Sequence, residues 1–199
     1  QRPVRTSASA SEIQPFVTND VDETAHTLVF VNGAYAESLS STAGLEDGVV
    51  VSSLATALAS STEAEVIEAH LGSAADMGAG FTAFNTALST DGAFIRVPKN
   101  VVVAAAVRLL FITTAADGDV ATMTHPRVLV VAGENSQLRL VESYVGTGST
   151  GYLTNTVVEV IGEANAVVDH YKVVRESSTA NHIGSMHLRL GRAANFSSH

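Results

Sequence analysis

The 199-residue sequence predicts a mainly β fold preceded by a small α/β region, and three observations carry that expectation. Ala, Val, Ser, Thr and Gly dominate, and small or β-branched side chains suit closely stacked strands. A turn-like segment recurs, as Gly133-Glu134-Asn135, Gly162-Glu163-Ala164-Asn165 and Gly191-Arg192-Ala193-Ala194-Asn195. Near residue 91 the chain changes character, from short helical patterns to β-branched runs, so the expected division is 1–90 and 91–199.

Residues 1–25 show little periodicity, and with the acidic Asp20, Asp22 and Glu23 they read as an exposed lead-in. Leu28 to Val31, then Asn32-Gly33, then Ala34 to Ala36 is a hairpin pattern, because Asn-Gly accepts the positive φ angles of a type I′ turn. Val50, Leu54 and Leu58 repeat every four residues and predict a helix over 49–59. Thr62 and Glu65 have capping-box spacing ahead of a second helix, which Gly72 would end. A third helix is expected over 81–88. Phe94 to Val97 reads as a strand, with Pro98-Lys99-Asn100 as its turn. Val101 to Val103, Leu109 to Ile112 and Val128 to Val131 read as further strands.

In the repeat, the three glycines are separated by 29 and 29 residues. Each interval holds two strand-like runs, Leu138 to Val145 with Leu153 to Ile161, then Val167 to Arg175 with Ile183 to Leu190. Gly146 to Gly151 and Glu176 to Asn181 are the looser connections. Internal repetition of this kind suits a solenoid of flattened two-strand coils, whose neighbours pair in parallel. The other reading is an antiparallel meander inside a sandwich or barrel. The same turn recurring at every second strand favours the coil.

Charge and composition exclude several function classes. Lys and Arg total 11 against 20 Asp and Glu, giving a formal charge of −9. Neither nucleic acid nor an anionic membrane surface suits that balance. No cysteine is present, so this stretch has no disulfide, catalytic thiol or thiolate-held metal. The longest uninterrupted apolar run is Val101 to Val107, far short of the ~20 residues that cross a bilayer. The chain is expected to be soluble and cytoplasmic. No nucleotide-binding glycine loop or nucleophile elbow is present.

Seven histidines raise the question of ligands. His182 and His187 are five apart and would point to opposite faces of a strand. His170 reads as a strand-surface histidine, and His125, before Pro126, as a residue leading into a strand. Glu142 and Asp169 hold similar places in successive repeats, and a carboxylate pair would suit glycosidase chemistry. Repetition alone produces the same match, and the structural reading is preferred. No catalytic, cofactor-binding or metal-binding residue is assigned.

Several ordered segments carry a family resemblance. They are Leu28-Val-Phe-Val-Asn-Gly33, Gly48 to Leu54, Phe84 to Leu88, Asp91 to Pro98, His125 to Ser136, Val141-Glu-Ser-Tyr144, His170-Tyr-Lys172, His182-Ile-Gly184 and Asn195-Phe196. Together, over most of residues 26–199, they resemble the SufB/SufD family. The hairpin and the missing cysteine place the chain on the SufD side. The resemblance implies a right-handed parallel β-helix and a non-enzymatic scaffold subunit of the SUF iron–sulfur cluster assembly complex. It implies a SufB-like paralogue and a SufC-like ABC ATPase as partners, or a second copy of the chain as a homodimer. It implies no cofactor held by this chain alone: the complex handles the cluster transiently and the ATPase uses ATP. The chain begins at Gln1 rather than Met, and the repeat array runs to His199 without a cap, so a fragment is expected. The competing expectations are a β-helix enzyme acting on polysaccharide, disfavoured by 6% aromatics and no Trp, and a purely structural repeat protein.

Overall fold

The computed structural model describes residues 13, 15–17, 26–114, 122–147 and 151–199. Its strands are β1 (His26–Val31), β2 (Ala34–Tyr35), β3 (Val50–Ser53), β4 (Gly92–Val97), β5 (Val107–Thr114), β6 (Met123–Thr124), β7 (Arg127–Ala132), β8 (Gln137–Thr147), β9 (Leu153–Gly162), β10 (Val167–Arg175), β11 (Asn181–Leu190) and β12 (Asn195–Ser198). Three α-helices, α1 (Leu54–Leu58), α2 (Ser61–His70) and α3 (Gly80–Leu88), lie between β3 and β4.

The strands form two sheets. One runs β12-β10-β8-β5-β1-β2, the other β11-β9-β7-β4-β3, with β6 also on β9. From β7 to β12 the chain alternates between the two sheets, and each of β9 to β12 pairs in parallel with the strand two places earlier. The antiparallel meander is thereby excluded. The only antiparallel ladders among the described strands are β1–β2 and β3–β4. Neither sheet closes into a barrel. Strands from both sides of residue 91 share both sheets.

The main core lies between the sheets. It gathers Leu28, Phe30, Ile95, Leu109, Phe111, Val128, Val130, Leu140, Val158 and Val160 among others, all nearly inaccessible. Parallel register aligns like with like. Phe30 pairs with Phe111, and Phe111 with Tyr144. Their rings stack at 5.1 and 4.9 Å between centroids. Such aromatic contacts add roughly 0.5–1.5 kcal/mol each beyond burial.

The recurring turn has a definite backbone cause. Asn100, Asn135 and Asn165 all adopt positive φ, at 63, 56 and 60°. Asn tolerates that region better than other non-glycine residues. Their side chains form a ladder: Asn135 Nδ2 donates to Asn100 Oδ1 at 2.8 Å, and Asn165 Nδ2 donates to Asn135 Oδ1 at 2.9 Å. In the last turn the positive-φ residue is Ala193 (φ 55°), not Asn195. Asn195 opens β12 instead.

Several local expectations are corrected. Val50–Ser53 is a strand, not the first half of a helix, because its β-branched run pairs with β4. Ser53 then caps the short α1, accepting from the Thr56 N–H at 3.0 Å. α2 starts at Ser61 with Ser60 as its N-cap and has no capping box at Thr62. Val101 to Val103 is a connection with one bridge, Val102 to Gln137. Gly146 lies within β8, while residues 148–150 lie outside the described residues. Most of 1–25, including Asp20, Asp22 and Glu23, also lies outside them. Ile13 is not an exposed lead-in residue: it is buried against Val29, Leu110, Ile112 and Val145. The Asn32-Gly33 turn is as expected, with φ of 49 and 80° between β1 and β2. Gly72 (φ 81°) follows the end of α2.

Candidate functional site

The space between the sheets changes chemistry along the stack. The column Leu28, Leu109, Glu142, Lys172 follows the register of β1, β5, β8 and β10. A parallel column runs Val107, Leu140, His170, Ser198. Apolar side chains fill the first coils and polar ones the last.

Glu142 and His170 are fully buried, and His170 Nε2 lies 2.8 Å from Glu142 Oε1. Tyr144 Oη donates to Glu142 Oε2 at 2.6 Å and lies 2.9 Å from Thr156 Oγ1. His170 Nδ1 lies 2.8 Å from Ser198 Oγ. With Nε2–H donating to Glu142, a neutral ring leaves Nδ1 to accept the Ser198 hydroxyl. Burial, and then the adjacent Glu142 carboxylate, push the Tyr144 phenol well above its ordinary value.

A second group adjoins it. Lys172 Nζ sits 5.0 Å from the Tyr144 ring centroid, and the His182 ring meets the same ring edge-on at 4.7 Å. A Cβ on Gly184 would come within 2.5 Å of Lys172 Nζ, so glycine there leaves the ammonium its room. Burial lowers the Lys172 pKa, partly opposed by Glu142 and Glu176. Glu176 takes His182 Nδ1 at 2.7 Å and the Thr154 hydroxyl at 2.7 Å. Buried polar groups in a low-dielectric interior must be partnered, and this network supplies partners for most of its members. His182 Nε2 is buried without one.

The sequence-level candidates fall out differently. His170 is not a surface histidine; its inward face of β10 puts it in the interior. Glu142 and Asp169 are not a pair: Glu142 sits opposite Lys172, and Asp169 opposite Arg139. Three rungs apart, they lie on opposite faces of the sheet. Asp169 accepts from Ser197 Oγ at 2.6 Å on the outer face. His182 and His187 do point to opposite faces: His182 meets Tyr144, while His187 Nδ1 accepts from the Asp76 N–H at 3.4 Å. His125 lies in the two-residue link between β6 and β7 and packs edge-on against Phe84 at 5.0 Å. Among the described residues, no group of three His, Cys, Asp or Glu is placed to hold a metal ion. Nor is any helix among them long and apolar enough to cross a membrane.

A polar anchor also holds the helical layer to the outer face of the second sheet. Glu159, fully buried, pairs with Arg127 and accepts the N–H groups of Gly72, Ala74 and Ala75 at 2.8 to 3.1 Å. Asn85 Nδ2 donates to the carbonyls of Pro126 and Asn155 at 2.9 and 2.8 Å. Arg96 holds Glu63 through two hydrogen bonds of 2.8 and 2.7 Å.

The sequence that folds this way has known relatives. Residues 7–109 match the family described as SufBD protein N-terminal region, and 111–199 match the SufBD core domain of SUF system FeS cluster assembly. The chain belongs to the SufBD family. An iron–sulfur cluster assembly SufBD family protein of Synechocystis is 30% identical over 85% of this chain and 38% of its own length. A SufBD family protein of Trieres chinensis is 30% identical over 70% of this chain and 28% of its own. The iron–sulfur cluster assembly protein SufD of Bacillus subtilis is 37% identical over 49% and 22%. This SufBD-family chain therefore spans well under half the length of those relatives.

Proposed function

We propose that this SufBD-family chain is part of a non-catalytic scaffold subunit of a SUF iron–sulfur cluster assembly complex. The observation that carries the proposal is the pair of family matches that together run from residue 7 to residue 199. Its coils are turns of a right-handed parallel β-helix, the hand that parallel β-crossovers almost always take. Its partners are a SufB-like paralogue and a SufC-like ABC ATPase in the cytoplasm. Iron–sulfur clusters are held mostly by thiolates, and no cysteine is present in these 199 residues. The cluster is cargo of the complex, its thiolate ligands come from elsewhere in it, and ATP is spent by the ATPase. The buried Glu142–His170–Tyr144 network keeps the interior of the coils ordered. The polysaccharide reading has lost the carboxylate pair it needed.

The test is affinity capture from a cell extract, with the intact gene product as bait and mass spectrometry as readout. Recovery of an ABC-type ATPase with a cysteine-containing β-helix paralogue is the expected result. A folded bait that recovers neither overturns the scaffold role and favours a purely structural repeat protein.

A further inference from the structure

Helix α3 is built inside out. Its buried positions are polar, Thr82 and Asn85, while Phe81 and Phe84 are 49% and 38% exposed. The cause is the anchor beneath it: Asn85 and Asn155 spend their amides on backbone carbonyls of the sheet and of Phe81, so the polar face must turn inward. Other large apolar side chains around this helical layer are also open to solvent: Leu58 (48%), Leu71 (37%) and Met77 (46%). Leu54, Leu58 and Leu71 wall a cleft of about 320 Å³ that reaches down to Asp91 and Arg127. Arg127 is buried, and its Nε has no hydrogen-bond partner among the described residues. Exposed apolar side chains in this number on one helical layer mark an interaction site.

Charge identifies the occupant. From residue 6 to residue 95 the sequence contains no Lys and no Arg. Glu65, Glu68 and Asp76 of this layer are exposed. The cations that approach from the sheets are largely spoken for: Arg127 pairs with Glu159 and Arg96 with Glu63. Arg189 reaches the C-terminal end of α2, next to Leu71, where it is bonded to His70 Nδ1 at 2.8 Å. An acidic helical layer that carries an apolar cleft repels phosphate backbones and anionic lipid, and complements a basic polypeptide.

We propose that the α1–α3 face is a docking surface for a basic, amphipathic segment of a partner protein, which seats an apolar side chain between Leu54, Leu58 and Leu71. This is the helix-in-groove mode of recognition, with apolar anchors supplying affinity and charge supplying selectivity. It does not depend on the scaffold role, since it rests on this face alone.

The test uses the intact gene product and two labelled 14-residue amphipathic peptides, one of Leu and Lys and one in which Gln replaces every Lys. Fluorescence anisotropy gives affinity, and hydrogen exchange gives the footprint. The Lys peptide is expected to bind and to protect residues 54–58 and 80–88. Leu58→Asp, at an exposed position that the fold does not need, is expected to weaken binding at least about tenfold. The double variant Glu65→Gln, Glu68→Gln is expected to weaken it about two- to fourfold, with the loss erased at high salt. Equal binding of the Gln peptide, a footprint elsewhere, or a Leu58→Asp affinity within twofold of the parent overturns the proposal.

Discussion

At residue 170 an imidazole is held with a carboxylate on one side and a hydroxyl on the other, out of reach of water. Removing it leaves Glu142 buried and deprived of one of its two partners. His170→Ala is therefore expected to destabilise the fold by about 3–5 kcal/mol, read from urea unfolding. Lys172 gives a pH dependence. Its folded pKa is lowered, so near its unfolded value of 10.5 the unfolded chain binds more protons than the folded one. Its burial cost is fully present below the folded pKa and is relieved as pH rises toward 10.5. Lys172→Met is expected to raise stability at neutral pH and to flatten the rise toward alkaline pH, followed by thermal melts across that range. The polar network was partly legible in the sequence. Glu142 and Tyr144 continue the alternation of Leu138 and Leu140, and His170 and Lys172 continue that of Val168, so polar residues stand where the period demands core. What alternation cannot tell is that the inner face remains enclosed at those rungs, because enclosure depends on β9 across the interior.

Between elements, the helical layer is attached to the second sheet chiefly through Glu159, whose carboxylate collects three loop N–H groups and the Arg127 guanidinium. Glu159→Ala leaves Arg127 a buried charge without its counter-ion. The expected outcome is fast amide exchange over residues 71–75 while the β8–β10 ladder keeps its protection, measured by hydrogen exchange with mass spectrometry. None of this attachment could be read from the sequence, since Glu159 and Gly72 are separated by 87 residues and share no pattern. The boundary between β3 and α1 was missed for a different reason. Val50, Leu54 and Leu58 satisfy a helical period while Val49 to Val51 satisfy a strand, and pairing with β4 decides between them. The Asn-Gly hairpin and the Gly72 helix end were legible because each depends on a local backbone preference.

Across the whole molecule, stacking in register turns a sequence repeat into columns: an aromatic column, an asparagine column, and an interior that passes from apolar to polar. The 29-residue recurrence was enough to read the parallel pairing of alternate strands, because each unit buries its inner face against its neighbours. The asparagine column ends at Ala193, which holds a positive φ of 55° without a side chain that favours it. Ala193→Asn is expected to extend the ladder and raise stability by about 1 kcal/mol, seen as a higher melting temperature. The scaffold role proposed above would use the long flanks of these sheets to hold partners. Co-expression of the intact gene product with a SufB-like paralogue and a SufC-like ATPase, followed by native mass spectrometry, tests that role most directly. The account predicts one complex containing all three chains; a folded subunit that stays apart from both partners would contradict it.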